Sequence, residues 1–255
     1  MEVERHDPGV PSWVDLGTSD IPKAIEFYSG LFGWQIEQGP PEAGGYSMCL
    51  LRGKPVAGLG PQMNPGPPYW TTYVTVESVD ETLGKAKSAG GNVLMDGMDV
   101  MEFGRMGIIQ DPAGAVISLW EPRAHHGASI VNEPNTYSWS ELVTTDTEAS
   151  KQFYGAVFGW GEQTHQGEMP YTEWKIGERS VGGMMPKPPM MPAEVPPHWG
   201  VYFAVDGTEA AIEKVKQLGG QLIVGPMDVE PGRFAVVSDP QGAVFNIITL
   251  SPQRA

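Results

Sequence analysis

The feature that most constrains the fold is an internal repeat, in which short groups of residues recur in the same order 126 to 129 positions later. A near-constant spacing over so many ordered matches indicates a duplicated module. A chain of 255 residues therefore divides best into two domains of ordinary size. The clearest matches are 13–16 with 139–142, Phe27-Tyr28 with Phe153-Tyr154, Gly33-Trp34 with Gly159-Trp160, Trp70 with Trp199, Met98-Asp99-Val100 with Met227-Asp228-Val229, and Asp111-Pro112 with Asp239-Pro240.

Within each copy, the hydrophobic pattern predicts a strand, a helix and three more strands, and this order occurs twice. In copy one, residues 13–18 alternate as a strand, and Asp20 is placed to cap a helix that ends at Gly33. Asp146 and Gly159 take the same places in copy two. The chain is thus predicted to contain four βαβββ units. The other predicted helices are 80–89 and 208–219, and the other predicted strands of copy one are near 34–38, 46–51, 56–60, 71–76, 92–95, 105–110 and 115–121.

Composition excludes several classes of partner. The net charge of −15, with no basic cluster, disfavours nucleic acid and anionic lipid. No apolar run is long enough to cross a bilayer, and the polar opening segment lacks the apolar core of a signal peptide, so we expect a cytoplasmic protein. The single cysteine, Cys49, lies in an apolar run and is expected to be inert core.

The predicted domain limits are 12–122 and 138–251, with a linker at 123–137. Adjacent histidines His125 and His126 lie on this linker. Weak metal binding is one role for such a pair, but neighbouring side chains on an extended chain point opposite ways, so we expect both histidines to be simply exposed to solvent. The proline-rich segments 61–68 and 186–197 are expected to be extended connectors between the units of each copy.

Taken together, paired βαβββ units, a capped helix with Phe-Tyr that ends in Phe-Gly-Trp, and a late Gly-Arg strand leading to Asp-Pro-x-Gly resemble the vicinal-oxygen-chelate (glyoxalase/bleomycin-resistance/dioxygenase) superfamily. More narrowly, the fused pair resembles the two-domain glyoxalase-like proteins of actinobacteria. The expected fold class is α+β, with two tandem cupped eight-stranded mixed sheets and helices on their outer faces.

In metal-dependent members of that superfamily, His, Gln or Glu side chains on three strands ligate a divalent ion. Mapped onto this chain, none of the three positions in either copy keeps a strong ligand, since indole cannot coordinate a metal and hydroxyl or amide oxygens are weak ligands without carboxylates. We therefore expect no bound metal, and no Gly-rich loop implies a nucleotide cofactor. The mapped positions are Trp13, Thr71 and Ser118 in copy one and Trp139, Gly200 and Asn246 in copy two.

Strand alternation predicts which face carries the site. Val14 and Leu16 should face the helices, which leaves Trp13 and Asp15 on the opposite, inward face. An inward face with aromatic rings, hydroxyls and one acid per copy suits a small organic ligand. The expected ligand-binding residues are Trp13, Thr71, Tyr73, Ser118, Trp139, Tyr202 and Asn246.

Asp15 and Glu141 are the candidate catalytic residues, because a carboxylate beside indole surface can have a raised pKa and transfer a proton. A merely solvated carboxylate is the alternative for both. Arg105 and Arg233 either bind an anionic group of the ligand or brace a neighbouring turn.

Three functional classes remain open for a chain expected to be a monomer or homodimer. The first is a metal-free tailoring enzyme of the lyase, isomerase or hydroxylase type, acting on a small organic or aromatic natural product. The second is a binding protein that sequesters an antibiotic, and the third is a metal-dependent glyoxalase or dioxygenase.

Overall fold

The computed structural model describes residues 1–63 and 66–251, and it contains two eight-stranded sheets, one for each copy. The four predicted βαβββ units are confirmed, and β6 extends beyond the predicted 92–95 to Val100. Copy one contains β1 (Pro11–Thr18), α1 (Ile21–Phe32), β2 (Gln35–Gln38), β3 (Ser47–Leu51), β4 (Lys54–Pro61), β5 (Tyr69–Thr75), α2 (Val79–Ser88), β6 (Asn92–Val100), β7 (Gly104–Gln110) and β8 (Val116–Pro122). Copy two contains β9 (Tyr137–Thr144), α3 (Thr147–Phe158), β10 (Gly161–His165), β11 (Tyr171–Ile176), β12 (Arg179–Pro186), β13 (His198–Ala204), α4 (Thr208–Gln217), β14 (Gln221–Val229), β15 (Gly232–Ser238) and β16 (Val244–Leu250).

The first helix of each copy begins and ends where its sequence predicts. Asp20 accepts a hydrogen bond from the backbone N–H of Lys23, and Asp146 does the same for Ala149, so both helices have side-chain N-caps. Gly33 and Gly159 end these helices with φ of 71°, in the left-handed region that glycine enters without strain.

Each sheet is mixed and has the same strand order. In copy one the order is β2-β3-β4-β1-β5-β8-β7-β6, and copy two repeats it as β10-β11-β12-β9-β13-β16-β15-β14. The first strand of each copy is therefore central, parallel to the fourth and antiparallel to the fifth. As predicted, Val14 and Leu16 are fully buried on the helix side, which places their alternates on the other face.

The two copies pack together through their helices. Phe27 and Phe32 of α1 contact Phe203 and Phe245 of the copy-two sheet, and α3 packs in the same way on the second half of copy one. The helix on the outer face of one copy is thus covered by the other copy, so the two copies share their hydrophobic cores.

Buried hydrogen bonds reinforce this contact in matched pairs. The hydroxyl of Tyr28 donates to Asp239 Oδ2 at 3.2 Å and accepts from the indole N–H of Trp70 at 3.1 Å. Tyr154 repeats the arrangement in the other direction, with Asp111 as acceptor and Trp199 as donor. The Tyr of each Phe-Tyr pair therefore joins its helix to the Asp-Pro turn of the other copy.

Residues 123–136 connect the two sheets, and residues 187–197, most of the predicted connector 186–197, follow β12 as an irregular segment. Residues 64 and 65, within the predicted connector 61–68, lie outside the described residues. Of the helices in the described ranges, none combines the length and the apolar character needed to span a membrane.

Candidate functional site

The face of each sheet opposite its helices lines a large cavity of about 2470 Å³, to which both copies contribute. Strand alternation predicted which residues reach this face, and the structure places all of them on the cavity wall. They are Trp13, Asp15, Thr71, Tyr73 and Ser118 in copy one and Trp139, Glu141, Tyr202 and Asn246 in copy two.

A hydrogen-bonded cluster surrounds the carboxylate of copy one. Asp15 Oδ2 accepts hydrogen bonds from the hydroxyls of Tyr73 at 2.9 Å and Tyr46 at 3.3 Å. The Tyr46 oxygen in turn accepts from the indole N–H of Trp13 at 2.9 Å. The indole therefore orients the tyrosine that orients the carboxylate, which reduces the number of conformations open to Asp15.

The electrostatics of this cluster favour proton exchange near neutral pH. Burial raises the pKa of Asp15 from 3.8 to about 6, although the hydrogen bonds from Tyr73 and Tyr46 oppose the shift. Both tyrosines bind Oδ2, and within the described chain Oδ1 receives no hydrogen bond. Asp15 thus has one oxygen held in place and a second that a ligand can reach, as a general acid or base requires.

Copy two builds the same cluster around a longer and more buried acid. Glu141 is 8% exposed, and its Oε1 accepts a hydrogen bond from the Tyr202 hydroxyl at 2.8 Å. The indole N–H of Trp139 donates to the Tyr171 oxygen at 3.0 Å, as Trp13 does to Tyr46. Burial raises the pKa of Glu141, and hydrogen bonding to Tyr202 and Tyr171 opposes the rise.

Tyr46 and Tyr171 were missed as site residues by sequence reasoning. Each crosses above a glycine that pairs with the acid on the central strand: Gly58 lies beside Asp15, and Gly183 lies beside Glu141. A Cβ atom on either glycine would collide with the tyrosine hydroxyl. The two tyrosines lie 125 residues apart, close to the repeat spacing, so a full alignment of the copies would have paired them.

The walls around the two clusters differ. Thr71 pairs with Asp15 across β1 and β5, whereas the residue that pairs with Glu141 is Gly200, and Asn246 fills the space above it.

A second difference is an additional acid in copy two, on β11, which is separated from the strand of Glu141 by β12. Glu173 accepts from Lys175 Nζ at 3.0 Å and from the hydroxyl of Ser180, and it pairs with His165 Nε2 at 3.2 Å. The residue at the same place in copy one, opposite Gly58, is Met48. One side of the copy-two cavity is therefore charged where copy one is apolar.

His125 does not have the exposed position that we expected. Its ring packs edge-on against Trp13, with 4.4 Å between ring centroids, and it also contacts Trp120 at 5.7 Å. Burial lowers the pKa of His125 to about 4, and the neighbouring His126 and His6 add to that effect. The segment 123–137 folds back onto the cavity here because the Trp120 indole N–H donates to the His125 carbonyl, so His125 is a neutral part of the copy-one wall.

Of the two roles considered for Arg105 and Arg233, the structure supports bracing. Arg105 forms ion pairs with Asp80 at 2.9 Å and Asp99 at 3.1 Å, which joins α2 to β6. Arg233 does the same for copy two through Glu209 and Asp228. Both guanidinium groups are occupied by carboxylates of the protein itself.

The side chains at the mapped metal-ligand positions do not fit a metal ion. Trp13 and Trp139 present indole N–H groups that donate to tyrosines, and Gly200 has no side chain. Asn246 uses its amide N–H₂ to donate to the Val201 carbonyl at 3.3 Å. Within residues 1–63 and 66–251, no three His, Cys, Asp or Glu side chains come together as a metal site would require.

Comparisons with known proteins agree with this architecture. The family model of the Glyoxalase/Bleomycin resistance protein/Dioxygenase superfamily matches residues 11–119 and again 136–247. CFP32 of Mycobacterium tuberculosis, a glyoxylase by name, is 43% identical, with 96% of this chain and 97% of CFP32 covered. The anthracycline biosynthesis protein DnrV of Streptomyces peucetius is 35% identical, with 96% and 95% covered.

Among solved structures, the Mn(II)-bound glyoxalase from Novosphingobium aromaticivorans superposes with a TM-score of 0.69 at 16% identity, covering 95% of this chain and 82% of that one. At that identity the likeness concerns the fold alone. Because the family model matches both copies over nearly their whole length, the chain belongs to the Glyoxalase/Bleomycin resistance protein/Dioxygenase superfamily.

Proposed function

We propose that this protein binds a flat aromatic organic molecule in the sheet-lined cavity and transfers a proton to or from it through Asp15 or Glu141, without a metal ion. The observation that carries the proposal is the repeated cluster of one tryptophan, two tyrosines and one carboxylate on the cavity wall. Two copies of one module with differing walls have kept the same arrangement around the acid.

The lining supports an aromatic ligand. Indole and phenol rings offer large apolar surfaces with a polar edge, which suits stacking against a flat ring system. The cavity of about 2470 Å³ exceeds the roughly 300–1,000 Å³ of a pocket for one drug-sized molecule, so it is large enough for a fused-ring compound. Two relatives named as anthracycline biosynthesis proteins support a fused-ring ligand here as well.

The carboxylates support proton transfer. A pKa of about 6 leaves Asp15 able to exist in both protonation states near neutral pH. The tyrosines hold the carboxylate but their own pKa values are raised by burial and by its charge, so they act as donors of hydrogen bonds rather than as bases. Side chains unsuited to metal binding at the mapped ligand positions support chemistry that does not depend on a metal.

The test uses 1-tetralone, an aromatic ketone whose α-hydrogens exchange with deuterated water when a base removes them. Binding is followed by tryptophan fluorescence, and exchange by mass spectrometry of the ketone. We expect Asp15→Asn or Glu141→Gln to slow exchange by about 100-fold or more while leaving affinity within about threefold. Asp99→Asn, which changes an ion-paired acid on the same cavity wall, is the matched control and should leave both unchanged.

Two results contradict parts of the proposal. Tight binding of the ketone with no exchange by the unaltered protein indicates a sequestering protein rather than an enzyme. About one tightly held divalent ion per purified chain, found by elemental analysis and lost together with exchange on chelation, contradicts metal independence.

A further inference from the structure

The cavity wall carries a strong excess of negative charge. Among the described residues that line it there are eight carboxylates but a single Arg, Arg179, and no Lys. Three of the carboxylates are neutralised by ion pairs with residues behind the wall: Asp99 with Arg105, Asp228 with Arg233, and Glu173 with Lys175. Five acids therefore remain to set the potential inside the cavity.

These five acids lie at two depths. Asp15 and Glu141 belong to the hydrogen-bonded clusters, whereas Glu37, Glu42 and Glu230 are exposed on the strands and turns that border the cavity. Within the described chain none of the three exposed glutamates forms an ion pair. Because low-dielectric walls focus the field of like charges, a cavity with this lining concentrates cations and repels anions.

The aromatic lining adds to this preference. Tyr69, at the start of β5, is 42% exposed and also lines the cavity, so its ring face is open to a ligand. Tyrosine and tryptophan faces attract cations through their ring quadrupoles. The net charge of −15 extends the same preference to the approach of a ligand from solution.

We propose that the ligand is an aromatic molecule bearing a positive charge, such as a protonated amine attached to a fused-ring system. This inference rests on the proposed function, since it assigns a charge to the ligand of that same cavity. The ring system lies against the aromatic wall, and the ammonium group lies toward the exposed glutamates at the border.

The test compares three probes with one ring system and different charges: 1-pyrenemethylamine, 1-pyrenemethanol and 1-pyrenecarboxylate. Binding is measured by tryptophan fluorescence at low and high salt. At about 20 mM salt we expect the amine to bind at least about tenfold more tightly than the carboxylate, with the alcohol between them. At about 0.5 M salt the differences should shrink, because the exposed charges are screened.

Variants of the border separate charge from shape. The triple variant Glu37→Gln, Glu42→Gln, Glu230→Gln should reduce the preference for the amine over the carboxylate by at least about threefold. Its remaining lining acids are either hydrogen-bonded in the clusters or neutralised by ion pairs. Arg179→Gln removes the one lining guanidinium and should increase that preference. All four side chains are exposed, and circular dichroism verifies that the variants fold.

The outcomes distinguish this inference from the function on which it rests. If the alcohol or the carboxylate binds as tightly as the amine at low salt, the inference is wrong and the aromatic site stands. If none of the three probes binds, the proposed aromatic site is itself wrong. A preference for the amine that the triple variant does not reduce also overturns the inference, because the glutamates then do not produce it.

Discussion

Copy one and copy two surround their carboxylates with the same frame, which consists of one tryptophan and two tyrosines in each copy. The two carboxylates differ in length and in burial. Asp15 is the shorter acid, and both of its tyrosines bind a single oxygen. Glu141 reaches one bond further from the same strand position and is nearly enclosed. Strand register and the glycine beside each acid place the frame residues in the same way in both copies. The acid within the frame differs, since it is Asp in copy one and Glu in copy two.

The cavity walls around the two clusters differ between the copies, although the clusters themselves are alike. His125 closes one side of the copy-one cluster, and the matching place in copy two falls beyond the described residues. Met48 in copy one corresponds to Glu173, which is held by Lys175 in copy two. A duplicated backbone thus presents two different chemical surfaces around one repeated cluster, so the copy-one and copy-two parts of the cavity should differ in what they bind.

The largest effect that would sharpen this comparison is the pH dependence of stability. Because the folded-state pKa of Asp15 is raised from 3.8 to about 6, its contribution to stability is fully present below pH 3.8 and is lost as the pH rises through 6. The free energy of unfolding of Asp15→Asn, relative to that of the unaltered protein, should therefore rise by about 3 kcal/mol between about pH 4 and pH 8, measured by urea unfolding. Glu141→Gln should shift in the same direction. A gap between variant and unaltered protein that is constant with pH would show that neither carboxylate is strained by burial.

The glycines beside the acids offer a direct way to break the frame in one copy at a time. Gly58→Ala should displace Tyr46, and Gly183→Ala should displace Tyr171, because the new Cβ collides with the hydroxyl. Each should cost about 1–3 kcal/mol in unfolding free energy through lost hydrogen bonds and overpacking. Each should also weaken ligand binding only in its own copy. Alanine variants with unchanged stability would mean that the tyrosines are not held over the glycines.

A smaller effect is expected where the copies meet. Tyr28→Phe leaves the Trp70 indole N–H without its acceptor and removes the donor to Asp239 Oδ2, while Asp239 Oδ1 keeps its backbone donors. Tyr154→Phe does the same to Trp199 and to Asp111 Oδ2. Each change should cost about 1–2 kcal/mol by thermal or urea unfolding, because a buried polar group loses its partner. Equal losses would support equivalent contacts in both directions, whereas a loss in one variant alone would show that one copy carries the interface.

The smallest effect should come from the arginines that brace each second helix. Arg105→Gln and Arg233→Gln break partly exposed ion pairs, so each should cost less than about 1 kcal/mol, and the loss should fall further at high salt. Neither should alter ligand affinity by more than about twofold, since both guanidinium groups face protein carboxylates. A selective loss of affinity for anionic ligands would restore the ligand-binding role that the structure does not support.

The sequence was sufficient for the helix caps and for the inward or outward direction of the strand residues in the site, which depend on local pattern. Helix caps at Asp20 and Asp146 follow from side-chain chemistry within one turn, and they are confirmed. Period-two alternation is equally local, so Trp13, Asp15 and their counterparts could be assigned to the inward face without knowing which strands are neighbours. The ordered repeat then extended each assignment from one copy to the other.

Contacts between strands and segments far apart in the chain required the tertiary structure. Tyr46 reaches Asp15 only because β3 lies two strands from β1, with Gly58 of β4 between them. His125 lies on Trp13 only because the connecting segment folds back across the sheet. Sequence alternation determines the side of a strand on which a residue lies, whereas the order of strands and the path of the connector, set by packing of the whole chain, determine what it meets there.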